Sequence, residues 1–331
     1  MDAAPEMDRH LEMLAQREDG SLCLATSSLT GATWRGSVWF FHNPNDAPEP
    51  HLATAWARSQ CGNTDIAWLN ERSLVTGSDD GAVELWEITD GNKALKLAAK
   101  LSQHDDIVQT ISVNANGHSI VSGGWDSKIK VWNTEKECCQ RSLSGHLDTV
   151  YAVACSPSNP HIFVSASEDG STKLWDIRDK SEVRSVFSTG LHGVGVRSAA
   201  WQPGDNQRIA VGDARGRVVF LEIGKNCSNV ITEFDIQRDA VNRLAFSPHE
   251  RSWLASASND GTVVVMNLAV NTIIYSNSQH KDVVRGLSWS PTDNIVLRSC
   301  GLDSQLLDHA LCQEGCGPVP MEAEATVPKS S

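Results

Sequence analysis

The stretch that decides the fold lies near the middle of the chain. It reads GHLDTV at residues 145–150, SP at 156–157, VSASEDG at 164–170 and KLWD at 173–176. A Gly-His pair opens it, Ser-Pro and Asp-Gly mark turns, and the β-branched runs between them are typical of strands. Asp and Gly tolerate a positive φ, so Asp-Gly between two such runs indicates a hairpin. The stretch therefore predicts a unit of four short antiparallel strands.

The same pattern recurs along the chain at a period of about 45 residues, which is typical of the four-stranded blades of a propeller. One column of aligned positions consists of Phe41, Trp86, Trp132, Trp175, Leu221, Met266 and His309. A second column, which precedes the first at a near-constant spacing, consists of His104, His146, His192 and His280. A four-stranded unit cannot bury both of its faces alone, so the units must stack in a ring.

We therefore expect an all-β, seven-bladed propeller over residues 10–311, preceded by an N-terminal segment at 1–9. Residues 312–331 have few large apolar side chains and are predicted to form a disordered, acidic, proline-containing tail. A ring also needs its first and last blades joined, because an open strand edge invites pairing with other chains. Residues near Asp8 or residues near Leu311 could supply a closing outer strand, and the sequence leaves both possibilities open.

These repeats resemble the WD-repeat β-propeller family. In that family a His in the loop leading into a blade, a hydroxyl on the second strand, a turn Asp and the closing Trp are joined by hydrogen bonds. The resemblance implies two complete networks. They consist of His104, Ser122, Asp126 and Trp132 in the third copy and of His146, Ser165, Asp169 and Trp175 in the fourth. A half-buried Asp needs such donors.

A His beside a Ser and an Asp also resembles a hydrolytic triad. A catalytic site is needed once, whereas these residues recur at blade spacing, so the structural interpretation is favoured. The dipeptide Trp125-Asp126 imitates the closing Trp-Asp. Its register nevertheless places Asp126 in the turn column and leaves Trp125 outside the closing column. The fifth copy is the most degraded, with Val211 in the hydroxyl column and Arg215 in the turn column.

Composition limits the possible functions. The chain has 331 residues and a net charge of −13, so the basic footprint of a protein that binds nucleic acid directly is missing. Nine cysteines are scattered, which is typical of reduced thiols, and the pair Cys312 and Cys316 lacks a second pair at zinc-ligand spacing. We expect no metal, cofactor or membrane segment. The acidic residues near Met1 also argue against a signal peptide.

The chain has 11 Trp but only 2 Tyr and 7 Phe. Trp86, Trp132 and Trp175 close blades, Trp39 lies on the corresponding strand of the first copy, and Trp68, Trp201 and Trp289 fall on predicted inner strands. Trp34 has no such role. It lies between Ser27 and Gly36, where the first copy has more residues than a tight turn needs.

We interpret the residues between Ser27 and Gly36 as a protruding loop. Four of its residues, Leu29, Thr33, Trp34 and Arg35, are predicted to contact a partner, because Trp and Arg are enriched at interface hot spots. The alternative is that Trp34 folds back onto its own blade.

Several strings sharpen the resemblance. They are MDRHLE at 7–12, the first-copy loop through Trp34, GAVELWE at 81–87 and HDDIV at 104–108. They are similar to the WD-repeat subunits of methylosomes, the partners of type II, symmetric-dimethylating protein arginine methyltransferases. The resemblance implies a non-catalytic scaffold of the cytoplasm and nucleus, docked on the methyltransferase's N-terminal barrel with Trp34 as anchor. It also implies arginine-rich substrates such as histone tails and Sm proteins, which an acidic protein attracts.

Two other functions are alternatives to the scaffold. Trp175-Asp176-Ile177-Arg178 matches the Trp-Asp-x-Arg box by which some WD-repeat receptors bind the adaptor of a cullin-RING ubiquitin ligase. The second alternative is an enzyme that uses the central channel. It is disfavoured, because no carboxylate pair, Gly-rich phosphate loop or unrepeated Cys/His set stands out.

Overall fold

The computed structural model describes residues 6–311 except 31–32, 90, 92, 179–182, 190–192, 225–227 and 294. The predicted tail at 312–331, with Cys312 and Cys316, and His192 therefore lie outside the described residues. Seven antiparallel sheets follow one another along the chain, which confirms the predicted all-β, seven-bladed propeller. No described helix is long and apolar enough to cross a membrane.

Each sheet is one blade, with its strands in chain order from the ring's centre outward. Blade 1 contains β1 (His10–Gln16), β2 (Leu22–Thr30), β3 (Thr33–Phe41) and β4 (Ala55–Ser59). Blade 2 contains β5 (Asn63–Trp68), β6 (Ser73–Ser78), β7 (Ala82–Thr89) and β8 (Ala94–Ser102). Blade 3 contains β9 (Val108–Val113), β10 (Ser119–Gly124), β11 (Lys128–Asn133) and β12 (Cys138–Ser144). Two short 3₁₀ turns, Pro44–Asp46 and Pro50–Leu52, connect β3 to β4.

The remaining blades repeat this order. Blade 4 contains β13 (Val150–Cys155), β14 (Ile162–Ser167), β15 (Ser171–Asp176) and β16 (Val183–Ser188). Blade 5 contains β17 (Val196–Trp201), β18 (Arg208–Asp213), β19 (Arg217–Ile223) and β20 (Ser228–Asp235). Blade 6 contains β21 (Val241–Phe246), β22 (Trp253–Ser258), β23 (Val263–Asn267) and β24 (Thr272–Asn277). Blade 7 contains β25 (Val284–Trp289), β26 (Val296–Gly301) and β27 (Leu306–Ala310).

Burial along a strand follows from its place in the blade. Second strands such as β10 and β14 are buried over almost their whole length, because neighbouring blades cover both of their faces. The outer strand β12 instead alternates exposed and half-buried residues. Trp68, Trp201 and Trp289 lie on the inner strands β5, β17 and β25, as predicted.

Seven apolar clusters hold the ring together, one at each contact between blades. Trp86, Trp132 and Trp175 each pack against the preceding blade, and Trp39 packs against blade 7. Phe41 belongs to the same cluster, but the strand register makes Trp39 the counterpart of these residues. Trp39 pairs with Leu24 across the strands, as Trp86 pairs with Leu74 and Trp132 with Ile120. Most of the tryptophan excess thus belongs to the packing between blades, where removing such a ring costs about 3–5 kcal/mol.

Face packing closes the ring in the part of the chain that the structure describes. Leu11 and Leu14 of β1 form a cluster with Cys300 of β26. The Glu12 carboxylate pairs with Arg285 of blade 7, with 3.3 Å between Oε2 and Nε. Blade 7 has three strands among the described residues, so neither of the two expected sources of an outer strand is seen there.

Backbone geometry yields a stability test at Gly216. Its φ is +87°, and a Cβ there would lie 1.9 Å from the Gln237 carbonyl oxygen. Gly91 also has a positive φ, +66°, but open space around it. We expect Gly91→Ala to lower the free energy of unfolding by about 1 kcal/mol. Gly216→Ala should cost at least about 2 kcal/mol more, because the backbone must move. Equal losses in urea unfolding would contradict this packing.

Candidate functional site

The four predicted residues of blade 4 meet at one end of the ring, which we call the upper face. Nε1–H of Trp175 donates to Ser165 Oγ at 2.7 Å, and His146 joins Ser165 Oγ to Asp169 at 2.7 and 2.8 Å. An indole N–H can only donate, so the hydroxyl proton points to His146 Nε2 and Nδ1–H donates to Asp169. This chain of donors keeps His146 neutral, and burial lowers its pKa.

The carboxylate of Asp169 completes this network. Burial opposes its ionisation, but hydrogen bonds from Ser171, from the Leu147 N–H and from His146 outweigh burial and lower the Asp169 pKa to about 2. Asp169 therefore ties its own turn to the loop that leads into the blade.

Blade 3 has the same geometry. Ser122 Oγ lies 2.8 Å from both Trp132 Nε1 and His104 Nε2, and His104 Nδ1 lies 2.9 Å from Asp126. Asp126 also accepts the Asp105 N–H at 3.1 Å. The two sets of four are buried and use their polar atoms on one another, so they hold the loops of the upper face in place.

Blade 7 contains a network that the sequence reasoning missed. His280 joins Asp303 to Ser299, and His309 takes the place of the closing Trp. His309 Nε2 lies 2.7 Å from Ser299 Oγ, and its Nδ1 lies 3.0 Å from the hydroxyl of Tyr275 in blade 6. Each group in this network donates to the next one: the Tyr275 hydroxyl to His309, His309 to Ser299, and the Ser299 hydroxyl to His280. The sequence contained a signal for this network, because His280 and His309 stand in the two columns of aligned positions.

The other blades keep fragments of the pattern. The Trp86 indole donates to Thr76 at 3.0 Å in blade 2. In blade 5, Val211 and Leu221 are buried where blades 3 and 4 have the hydroxyl and the indole, so apolar packing replaces the polar network. Asp213 of that blade pairs instead with Arg217 at 3.0 Å.

The predicted protruding loop of blade 1 is an extension of two strands, so the loop assignment was wrong in form. Cross-strand pairing of β2 with β3 continues from Ser27–Gly36 to Thr30–Thr33. Because the ladder of backbone hydrogen bonds runs almost to the tip, the extra residues lengthen the hairpin instead of forming an irregular loop. We call residues 27–36 the blade 1 hairpin.

The predicted contact residues lie on this hairpin. Leu29 and Trp34 are directly paired across the strands and are 55% and 43% exposed. Arg35 is exposed opposite Ser28, and Thr33 begins β3, although its side chain is outside the described part. Trp34 meets His10 edge-on at a ring-centroid distance of 6.2 Å. It therefore leans on its own blade but keeps a large exposed surface.

A groove of about 650 Å³ lies beside the hairpin. Its lining includes Arg9, Arg35 and Arg58. Among the described residues none of these three arginines has an ion-pair partner. Glu6 and Asp8 also line the groove, so its arginines leave a small excess of positive charge beside the hairpin, although the whole chain carries a net charge of −13.

The central channel is crowded by paired charges. Arg243 of blade 6 reaches Asp65 of blade 2, with 3.5 Å between Nη1 and Oδ2. Arg197 stacks over the Tyr151 ring at 3.8 Å and pairs with Glu168 at 3.1 Å. The free volume of this part of the channel is about 50 Å³, which has room for water but not for an organic substrate.

The Trp-Asp-x-Arg segment at 175–178 ends in an internal ion pair. Arg178 Nη2 lies 2.6 Å from Asp176 Oδ2, and the Arg178 side chain is 60% exposed. The guanidinium is accessible but already bound by its own chain.

The seven stacked blades and their His-Ser-Asp-Trp networks define a WD-repeat β-propeller. Four segments match the family described as WD domain, G-beta repeat, namely 95–133, 137–176, 228–267 and 271–307. Each runs from the outer strand of one blade into the third strand of the next. The matches lead into blades 3, 4, 6 and 7, whereas the degraded fifth copy is not matched.

Whole-chain similarity is more specific. The chain is 36% identical to methylosome protein WDR77 of Xenopus laevis over 93% of its own length and 92% of that protein's. It thus belongs to the methylosome WDR77 family of WD-repeat scaffolds. It is also 25% identical to protein valois of Drosophila melanogaster over 93% of this chain and 88% of that protein. Similarity to protein transport protein SEC31 of Saccharomyces cerevisiae covers only 17% of that protein.

The blade 7 network predicts a pH dependence of stability. Burial, and then the neighbouring His280, lower the pKa of His309 from an ordinary 6.5 to about 4. The unfolded chain binds this proton more readily, so the stabilisation is complete above about pH 6.5 and is lost as the pH falls toward 4. In His309→Gln the amide can keep both hydrogen bonds without titrating. From pH 7 to 4, the wild type should lose about 3 kcal/mol more than the variant.

Urea unfolding at several pH values checks this expectation. Parallel pH profiles for the two proteins would show that His309 does not titrate as the network requires. Tyr275→Phe serves as a second probe, since it removes the donor to His309 Nδ1 and should lower stability by about 1 kcal/mol at pH 7.

Proposed function

We propose that this chain is the non-catalytic WD-repeat subunit of a type II, symmetric-dimethylating protein arginine methyltransferase complex. The observation that carries the proposal is similarity to a methylosome protein across 93% of this chain. The crowded channel and the inward-facing polar networks suit a scaffold. The proposed places of action are the cytoplasm and the nucleus.

The blade 1 hairpin is the proposed docking element for the methyltransferase's N-terminal barrel. Leu29 and Trp34 form an exposed apolar pair on a strand ladder, so little conformational entropy is lost when a partner covers them. Arg35, Arg9 and Arg58 form no ion pair with any described residue, and they outnumber the two acidic residues of the adjacent groove. The complementary partner surface has an apolar pocket for Trp34 and acidic groups around it. Thr33, at the tip, completes the proposed contact.

The proposed second task is to help present arginine-rich substrates, such as histones and Sm proteins. The net charge of −13 supports this role, because it raises the local concentration of basic segments and speeds their encounter at low salt. The ligase-receptor alternative has less support, since Arg178 would have to leave Asp176 before it could bind an adaptor.

Replacing Trp34 by Ala tests the docking assignment. An interface hot spot of this kind costs about 2 kcal/mol or more when truncated, so the affinity for the methyltransferase should fall about 30-fold or more. Isothermal titration with both purified proteins measures the effect. The matched control is Trp125→Ala, which removes a similarly exposed indole, 46% against 43%, from blade 3. Undiminished binding by the Trp34 variant would refute the anchor, provided that its melting temperature is unchanged.

A further inference from the structure

Trp125 is an exposed indole that the packing of the blades does not require. It lies on the turn between β10 and β11, is 46% exposed, and is absent from the seven core clusters. Its Nε1–H donates to Gln109 Oε1 and its backbone N–H to the Ile107 carbonyl, both at 2.9 Å. The ring is therefore held in a fixed orientation while nearly half of its surface faces solvent.

Carboxylates stand at the equivalent positions of the two neighbouring blades. Trp125 directly precedes the turn Asp126, and the residues directly before Asp80 in blade 2 and Asp169 in blade 4 are Asp79 and Glu168. Ring geometry places equivalent turns side by side on the upper face. The loops between them are in close contact, because a Cβ on Gly81 would lie 2.6 Å from the His104 carbonyl oxygen. Trp125 thus lies between two acidic turns.

Carboxylates dominate the loops of this half of the upper face, although Lys100, Lys128 and Arg197 from adjoining strands pair with Asp80, Asp105 and Glu168. The loops contain eight Asp or Glu residues and no Lys or Arg; they are residues 78–81, 104–107, 124–127, 146–149 and 167–170. Asp79, Asp106 and Asp148 form no ion pair with any described residue. Corresponding loops of blades 5 to 7 carry Arg215, Arg238 and Lys281 in addition to aspartates. We call the five loops with Trp125 the acidic-aromatic surface.

We propose that the acidic-aromatic surface binds an arginine side chain of a basic peptide segment, with the guanidinium stacked on Trp125 and its N–H groups directed to the surrounding carboxylates. The inference rests on the proposed substrate-presenting function and gives that function a site. A guanidinium is planar and weakly hydrated, so it can stack on an indole and donate to carboxylates at the same time. An ammonium group is more strongly hydrated and stacks less well.

The chain itself shows this mode of recognition one blade away. The Arg197 guanidinium lies 3.8 Å from the centroid of the Tyr151 ring and 3.1 Å from the Glu168 carboxylate. An aromatic ring and a carboxylate of blade 4 thus hold an arginine together. Trp125 and the unpaired carboxylates of Asp106 and Asp148 offer the same two kinds of group, and there the arginine has to come from another molecule.

The experiment measures fluorescence anisotropy of two labelled peptides on the intact chain, one of Gly-Arg repeats and a matched one of Gly-Lys repeats. Trp125→Ala should weaken binding of the arginine peptide about tenfold, and that of the lysine peptide less than about threefold. Asp106→Asn with Asp148→Asn should weaken both peptides and flatten their salt dependence. Trp34→Ala, the matched control at a similarly exposed indole of blade 1, should leave both affinities unchanged.

Three results would overturn the proposal. The first is an unchanged affinity for the arginine peptide in Trp125→Ala, and the second is an equal loss of affinity for both peptides. The third is a sedimentation coefficient of the protein that depends on its concentration, with no change in peptide binding. That result would indicate a second copy of the chain as occupant. The proposed function fails separately, because methyltransferase binding depends on Trp34 in blade 1. A normal melting temperature for Trp125→Ala excludes unfolding as the cause of a loss.

Discussion

Each blade is a small sheet with two apolar faces, and neither face can be covered except by another blade. The rest of the structure depends on this face-to-face packing. It places an apolar cluster at each of the seven contacts and a large side chain, such as Trp86 or Trp132, against the preceding blade. It also closes the ring, since β1 packs on blade 7 through Leu11 and Leu14 in the described part of the chain. Because packing holds the strands, the loops can vary.

Polar networks then hold those loops in place. In blades 3, 4 and 7 a histidine connects the turn to the loop that leads into the blade, and the second-strand serine carries the chain of donors into the core. His309 shows that the closing indole can be replaced when another donor is supplied, here the Tyr275 hydroxyl from the adjacent blade. Blade 5 uses apolar packing at the same place. The same framework therefore tolerates several local solutions.

Three indoles are exposed among the described residues, those of Trp34, Trp56 and Trp125. Trp56 stacks on Trp39, and the other two differ in surroundings. Trp34 is paired with Leu29 beside unpaired arginines. Trp125 instead precedes Asp126 and is hydrogen-bonded to Ile107, in the loop that contains Asp105 and Asp106. Opposite charge around similar aromatic groups selects different partners. A scaffold that holds an enzyme through one surface and a basic substrate through the other would keep both contacts on rigid strands and turns.

The repeat period and the two aligned columns were enough to predict a seven-bladed propeller and both complete networks, because strand alternation and turn chemistry are local and recur in every copy. The spacing of residues along the chain could not show which side chains become neighbours in the folded structure. Trp39 takes the closing role through its cross-strand pairing with Leu24, and His309 depends on a tyrosine of another blade. The form of the blade 1 hairpin depended on whether backbone hydrogen bonds continue to its tip. The surroundings of Trp125 arise from loops far apart in sequence, which become neighbours when the blades stack.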